Sequence, residues 1–263
     1  MKVELAANLT LMYAHLPWDE RARAAAGDGF AHVEMQFPYE NPAIQWRQWL
    51  NESNVAMALI NAPPGDWAKG DRGLAAMTGR EAEFEASMEL AFQYCEATGC
   101  PRLHVMSGVA DFSDATARTT WLGNLKSASQ AARSAGVTLL VEPLNSRDFP
   151  GYFVSRQADV IELIDTVGCD NLLLQFDFYH LQIMEGDLLR HWVAHRDRVG
   201  HVQIAGAPGR NEPDTGEIAY QAVFDALLQS NWTLPVGCEY KPRNPSPEGV
   251  SAGLQWRERF GLT

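Results

Sequence analysis

An alternation that occurs eight times constrains this chain more than any other feature of its sequence. Short apolar runs typical of β-strands are each followed by a longer amphipathic run typical of a helix. The strand-like runs lie at 3–9, 31–37, 55–62, 102–108, 138–145, 172–178, 201–206 and 234–240; the helix-like runs lie at 18–27, 41–53, 79–98, 114–135, 155–167, 187–196, 218–230 and 247–259. Strands separated by helices pair in parallel, and their continuous apolar character indicates that both faces are covered.

Eight such units in 263 residues predict an α/β fold, a single (β/α)8 TIM barrel that forms one domain over residues 1–263. The alternative is a doubly wound open sheet, which would favour a glycine-rich turn after the first strand. The corresponding stretch, "ANLTLMYAHLP", contains no glycine. The helix ends fit the barrel: Asp114 and Ser155 are expected N-caps, and a glycine follows the helical runs in "ATGC", "SAGV" and "TVGC".

Composition argues against several classes of function. The net charge is −12, and an acidic protein repels a phosphate backbone, so we expect no nucleic acid partner. No stretch approaches the about 20 apolar residues of a membrane span, and "MKVELAANLT" lacks the apolar core of a signal peptide. The four cysteines form no C-x-x-C pair. These features favour a cytoplasmic enzyme that acts on small molecules.

Polar side chains interrupt the apolar runs near the end of each predicted strand, where the active site of such a barrel lies. In chain order they are Asn8, Glu34, Asn61, His104 with Ser107, Glu142 with Asn145, Asp177 with His180, Gln203, and Glu239. Several carboxylates that converge on one rim would repel one another, and each would be costly to desolvate without a partner.

A bound cation would resolve this repulsion. Glu142, Asp177 and Glu239, together with the amide oxygen of Gln203, form an oxygen-rich set that suits Mg2+ or Mn2+. Three carboxylates against a 2+ ion leave a net charge of −1, so one of them could still act as a base. The alternative is that each carboxylate forms a structural ion pair with an arginine of the barrel.

Five longer segments resemble the hydroxypyruvate isomerase family, which belongs to the xylose isomerase-like barrels. They read "NAPPGDWAKGDRGLAAMTGREAEF", "VEPLNSRDFPGYF", "QFDFYHLQIMEGD", "HVQIAGAPGRNEPDTGEIAY" and "VGCEYKP", and the resemblance covers nearly the whole chain. It implies that Glu142 and Glu239 are paired acid–base carboxylates that also bind the metal. It further implies that Asp177 and Gln203 complete the metal site.

The same resemblance implies that His180 and Arg210 hold the substrate. A guanidinium group binds a carboxylate well, and a neutral imidazole can donate a hydrogen bond to a substrate oxygen. Glu34 and His104 are further candidate substrate contacts, with a satisfied polar role inside the barrel as the alternative. One departure from the family pattern is Asn211, which follows "PGR" where a histidine is common.

The resemblance implies a metal-dependent isomerisation of the aldose–ketose type, hydroxypyruvate to tartronate semialdehyde, by proton transfer through an enediolate. Within the family, a 2-oxo-tetronate isomerase would use the same residues. A sugar epimerase of the superfamily is a second alternative, although such enzymes usually place a histidine where Gln203 stands. A nuclease, which would need more histidine ligands and a basic groove, and a non-catalytic sugar-acid-binding protein are alternatives from other classes. Barrels of this family often associate, which makes a homo-oligomer one expectation.

Overall fold

Eight parallel strands close into a barrel in the computed structural model of the protein, which describes residues 3–262. The strands are β1 (Leu5–Asn8), β2 (His32–Met35), β3 (Ala56–Asn61), β4 (Arg102–His104), β5 (Thr138–Val141), β6 (Leu172–Asp177), β7 (Val199–Ile204) and β8 (Val236–Cys238). Each strand pairs with the next in sequence, and β8 pairs with β1. The predicted (β/α)8 barrel is therefore confirmed.

Helices follow the strands and surround the barrel. They are α1 (Trp18–Gly27), α2 (Ala43–Ser53), α3 (Glu81–Thr98), α4 (Ala115–Ser134), α5 (Gln157–Val167), α6 (Phe178–Met184), α7 (Leu188–His195), α8 (Tyr220–Gln229), α9 (Pro247–Gly253) and α10 (Trp256–Arg259). The sequence pattern missed α6, because this short helix continues the apolar run of β6 without a break. Within residues 3–262, no helix is both long and apolar enough to cross a membrane.

The helix ends follow local side-chain chemistry, with one exception to the prediction. Asp114 caps α4 by accepting a hydrogen bond from the backbone of the first turn, as expected. The N-cap predicted at Ser155 is wrong, because α5 begins one residue later and the N–H of Gln157 donates instead to Glu185 Oε1 at 2.9 Å. The predicted helix-ending glycines have positive φ angles near 70°: Gly99, Gly136 and Gly168.

The upper part of the barrel interior is polar. The register of β6 and β7 places Asp177 opposite Gln203, and Gln175 opposite His201. Because side chains alternate along a strand, these two pairs lie on the same face at successive levels. All four residues are at most 3% exposed. Branched apolar side chains usually fill the interior of such a barrel. In this protein, buried polar side chains take their place near the carboxyl ends of β6 and β7.

Candidate active site

Asp177 lies at the junction between β6 and α6, and its two oxygens have different environments. Oδ1 accepts a hydrogen bond from the N–H of Tyr179 at 2.7 Å and so caps α6. Oδ2 has no hydrogen-bond partner among residues 3–262, and it lies 3.7 Å from both His180 Nε2 and Arg210 Nη2. One oxygen thus fixes the carboxyl group, and the other is available to a ligand.

The structure brings the three predicted carboxylates together. Ligand atoms of Glu142, Asp177, His180 and Glu239 all lie within 4.8 Å of one another, and all four residues are buried. Glu142 follows β5 and Glu239 follows β8, so the two glutamates approach the cluster from different parts of the barrel rim. A cluster of this composition could hold a metal ion.

Burial and mutual repulsion disfavour the charged forms of these carboxyl groups. Burial raises the pKa of Glu142 well above its ordinary value, and the nearby charges of Glu239 and Asp177 raise it further. Burial likewise raises the pKa of Asp177 to about 7 and raises that of Glu239. Glu142 Oε1, like Asp177 Oδ2, lacks a partner in the described part of the chain. These oxygen donors fit a hard divalent cation, which would compensate their charge.

Arg210 brings the positive charge that the structure places closest to the cluster. Its Nη2 lies 2.6 Å from Glu239 Oε2, and its guanidinium packs over the ring of Tyr179, 4.9 Å from the ring centroid. The residue sits in the loop after β7 with a left-handed φ of 54°. Its Nε is buried and makes no hydrogen bond to residues 3–262. Arg210 therefore holds Glu239 and keeps one N–H available.

His180 belongs to the cluster by distance, but its tautomer makes it a donor. The backbone N–H of Asn145 donates to His180 Nδ1 at 3.0 Å, so Nδ1 acts as an acceptor. Burial lowers the pKa of His180 well below its ordinary value, so the ring is neutral and its proton lies on Nε2. An Nε2–H group cannot bind a cation, but it can donate to a substrate oxygen.

Gln203 is partly engaged by its neighbours. Its Oε1 accepts a hydrogen bond from Gln175 Nε2 at 2.7 Å, and its Nε2 donates to Glu34 Oε1 at 2.9 Å. A carbonyl oxygen has two lone pairs, so Oε1 can still bind a cation.

Glu34 and His104, the two remaining candidate substrate contacts, have different surroundings. Glu34 is fully buried, and both of its oxygens accept hydrogen bonds inside the barrel. His104 borders the cavity, its Nδ1 lies 3.8 Å from Glu142 Oε2, and burial lowers its pKa to about 3. Neither ring nitrogen of His104 has a hydrogen-bond partner among the residues described. His104 is thus a neutral imidazole at the site.

Two neutral side chains that contact the glutamates were missed by the sequence reasoning. Gln36 Nε2 donates to Glu239 Oε1 at 2.9 Å, and Gln175 Nε2 donates to Glu142 Oε2 at 3.0 Å. Both glutamines interrupt strand-like apolar runs, "AHVEMQF" and "LLLQFDF". A polar residue within an apolar run was the signal that could have identified both glutamines. An uncharged side chain is a weaker signal than a carboxylate, because it costs less to bury.

A small cavity opens above the cluster. Its polar wall includes both glutamates, His104, His180 and Arg210. Its apolar wall consists of Phe37, Trp67, Met106, Leu144 and Phe149. Apolar side chains beside buried charged groups lower the local polarity and strengthen the electrostatic interactions there.

Comparison with known proteins places this barrel in a family. Residues 22–260 match the family model described as xylose isomerase-like TIM barrel. The chain is 47% identical over 257 residues to the 2-oxo-tetronate isomerase of Cupriavidus necator, with 97% of each chain covered. It is 36% identical over 260 residues to the hydroxypyruvate isomerase of Escherichia coli, with 98% of this chain and 99% of the relative covered.

Among solved structures, that of an AP endonuclease, family 2, from Brucella melitensis superposes with a TM-score of 0.93. The two chains are 40% identical, and the match covers 98% of this chain and 99% of the other. Both the sequence and the structural matches therefore extend over essentially the full chain. This chain belongs to the xylose isomerase-like TIM barrels and, within them, to the family of hydroxypyruvate and 2-oxo-tetronate isomerases, which isomerise small 2-oxo acids.

Proposed function

We propose that this protein is a divalent-metal-dependent isomerase that moves a carbonyl group between neighbouring carbons of a small 2-oxo acid. The observation that carries this proposal is the buried pair Glu142 and Glu239, which approach one cluster from β5 and β8. Two carboxyl groups on different sides of a substrate suit a reaction in which one carbon loses a proton and its neighbour gains one.

The proposed metal ligands are Glu142, Asp177, Gln203 and Glu239, and the proposed ion is Mg2+ or Mn2+. All four residues offer oxygen atoms, which these ions prefer. When bound, such a cation supplies Lewis-acid polarisation of the substrate carbonyl.

The two glutamates carry the proton transfers in this proposal. One takes a proton from the carbinol carbon beside the carbonyl, which leaves an enediolate, and the other delivers a proton to the former carbonyl carbon. The proton of the carbinol hydroxyl passes to the former carbonyl oxygen, so the product has the same atoms as the substrate. The roles of Glu142 and Glu239 are exchanged in the reverse direction. Gln175 and Gln36 hold the two carboxyl groups in place.

The remaining polar groups of the cavity bind the substrate. The Nε–H of Arg210, which has no partner within the described part of the chain, donates to the substrate carboxylate, which suits a planar guanidinium. The Nε2–H of His180 donates to a substrate oxygen, and the neutral ring of His104 offers a second such contact on the side of Glu142.

A four-carbon 2-oxo-tetronate is the proposed first substrate. The relative at 47% identity is named for that substrate, whereas the hydroxypyruvate isomerase is 36% identical. Hydroxypyruvate, the substrate favoured on the sequence alone, is the second candidate, because the same transfer on three carbons yields tartronate semialdehyde. An endonuclease activity, for which the Brucella protein is named, is disfavoured by the net charge of −12.

The test is an isomerase assay on metal-stripped protein, with Mg2+ or Mn2+ added back and product followed by NMR. We expect turnover only with metal, and a higher kcat/KM for the 2-oxo-tetronate than for hydroxypyruvate. Faster turnover of hydroxypyruvate would reassign the substrate and keep the mechanism. The absence of turnover on both acids, with metal bound, would reject the isomerase proposal.

A further inference from the structure

A set of buried polar side chains lies inside the barrel beneath the carboxylate cluster, and Glu34 is at its centre. Glu34 Oε1 accepts hydrogen bonds from Asn8 Nδ2 at 3.0 Å and from Gln203 Nε2 at 2.9 Å. Its Oε2 accepts from His201 Nε2 at 2.7 Å. The backbone of β8 leaves room for this carboxyl group at Gly237, where an added Cβ would overlap with it. The barrel is therefore shaped around Glu34.

Backbone groups near Asn8 determine which way the hydrogen bonds around Glu34 run. The backbone N–H groups of Thr10 and Leu11 both donate to Asn8 Oδ1, each at 3.1 Å. Because that oxygen is engaged by two donors, the other end of the Asn8 amide must be the NH2 group that faces Glu34. Glu34 consequently acts as an acceptor.

An acceptor at Glu34 sets the orientation of the two glutamine amides above it. Gln203 must present its NH2 to Glu34, so its oxygen lies on the side of Gln175 and Glu142. The NH2 of Gln175 then donates both to that oxygen and to Glu142 Oε2. Glu142 Oε1 is left as the carboxyl oxygen without a partner among residues 3–262. A reversed Gln203 amide would set two NH2 groups against each other.

We propose that Glu34 is a positioning residue, whose acceptor oxygen orients Gln203 and, through Gln175, determines which oxygen of Glu142 is free. This inference rests on the proposed function, in which Gln203 supplies an oxygen to the metal and Glu142 acts as an acid–base group. It differs from the substrate contact expected for Glu34 from the sequence.

A purely structural ion pair between Glu34 and His201 is the competing explanation, and two variants separate it from the proposal. Glu34→Met keeps the length of the side chain but removes both acceptor oxygens. Glu34→Gln removes the charge but keeps one acceptor oxygen, which can face Asn8 and Gln203. Its NH2 can then donate to His201 Nε2, because His201 Nδ1 has no partner in residues 3–262 and can carry the ring proton.

The experiment measures Mn2+ affinity by electron paramagnetic resonance, kcat and KM separately, and the melting temperature of each protein. We expect Glu34→Met to weaken Mn2+ binding and to lower kcat by roughly 10- to 100-fold each, the range typical of residues that orient metal ligands. KM should change by less than about threefold, because Glu34 does not touch the substrate in this proposal. Glu34→Gln should stay within about threefold of the wild type in Mn2+ affinity and kcat.

Two results would overturn the inference. Folded Glu34→Met with wild-type Mn2+ affinity and kcat would show that Glu34 orients nothing. Equal impairment of Glu34→Gln and Glu34→Met would show that the charge matters rather than the acceptor. If Glu34→Met does not fold, Glu34→Gln decides alone: retained affinity and kcat support the inference, and a tenfold loss of either overturns it. A wild-type protein that neither binds Mn2+ nor turns over a 2-oxo acid would instead reject the proposed function.

Discussion

The protein buries acidic side chains in two neighbouring places, and their surroundings are opposite. Glu34, inside the barrel, is 0% exposed and accepts hydrogen bonds from three donors. Glu142, at the rim, is 3% exposed, yet its Oε1 has no partner among residues 3–262 and its pKa is raised by burial and by neighbouring carboxylates. Burial alone therefore does not mark a ligand-binding carboxylate. The unpaired oxygen of Glu142 is the feature that supports its proposed role as a ligand, because such an oxygen lowers the stability of the protein unless a ligand satisfies it.

The largest expected effect comes from removing the acid–base function at the rim. Glu142→Gln should lower kcat by roughly 10²- to 10⁴-fold at saturating metal, because an amide cannot exchange a proton with the substrate. Steady-state kinetics at several Mn2+ concentrations measure this loss. The matched control is Glu89→Gln on the exposed face of α3, which should keep wild-type kinetics. Near-wild-type turnover by Glu142→Gln with metal bound would contradict the assigned role.

Substitution of Arg210 tests whether the carboxylate cluster at the barrel rim depends on the guanidinium group beside it. Arg210→Lys should lower kcat/KM by roughly 10- to 100-fold, because the single nitrogen of a lysine ammonium cannot reproduce the separate positions of Nη2, which contacts Glu239, and Nε, which faces the substrate in this proposal. Competition by a non-reactive 2-oxo acid would show whether substrate affinity falls in parallel. Arg196→Lys, at an exposed position, is the control. Unchanged kinetics in Arg210→Lys would assign Arg210 a structural role only.

Stability should change in opposite directions in the two regions. In metal-free protein near neutral pH, Glu142→Gln should raise the free energy of unfolding by about 1 kcal/mol, since an amide replaces a buried carboxyl group whose ionised form is disfavoured by burial and by Glu239 and Asp177. Glu34→Met should lower it by about 1–3 kcal/mol, since it leaves three buried donors without an acceptor. Urea unfolding of both variants measures these changes. Destabilisation of equal size in both would remove the distinction between the two regions.

The last prediction concerns pH. A carboxyl group whose pKa is raised on folding stabilises the protein below its ordinary pKa, and this contribution is lost as the pH rises through the raised value, about 7 for Asp177. Metal-free protein should therefore lose stability between about pH 4 and about pH 7, and Mn2+ should restore it mainly at the upper end. Melting temperatures with EDTA or with Mn2+ across this range provide the test. A flat metal-free profile would indicate that the cluster stays charged without metal.

The fold could be predicted from the sequence because each βα unit carries its own periodicity. The rim carboxylates could be predicted for a related reason: Glu142, Asp177 and Glu239 each interrupt an apolar run at a strand end. Helix α6 was missed because its residues continue the apolar pattern of β6. The N-cap predicted for α5 was wrong because the first N–H of this helix donates to Glu185, which comes from a distant segment of the chain.

The hydrogen-bond directions inside the barrel could not be read from the sequence. Gln36 and Gln175 are uncharged, and their importance lies in contacts with residues far along the chain. Glu34 accepts hydrogen bonds from Asn8 and Gln203, which come from two other strands and reach it only in the closed barrel. Such contacts follow from barrel closure and register, which a linear pattern does not specify.

The most direct test of the proposed mechanism is the isomerase reaction in D2O, with product examined by NMR and mass spectrometry. If one glutamate removes a proton and the other returns one, the returned proton comes from a group that has exchanged with solvent. We therefore expect one deuterium per turnover at the former carbonyl carbon. Product formed at full rate with no deuterium at that carbon would show that the substrate hydrogen itself reaches the neighbouring carbon, either directly or on a single shielded base, and would contradict the separate roles assigned to Glu142 and Glu239.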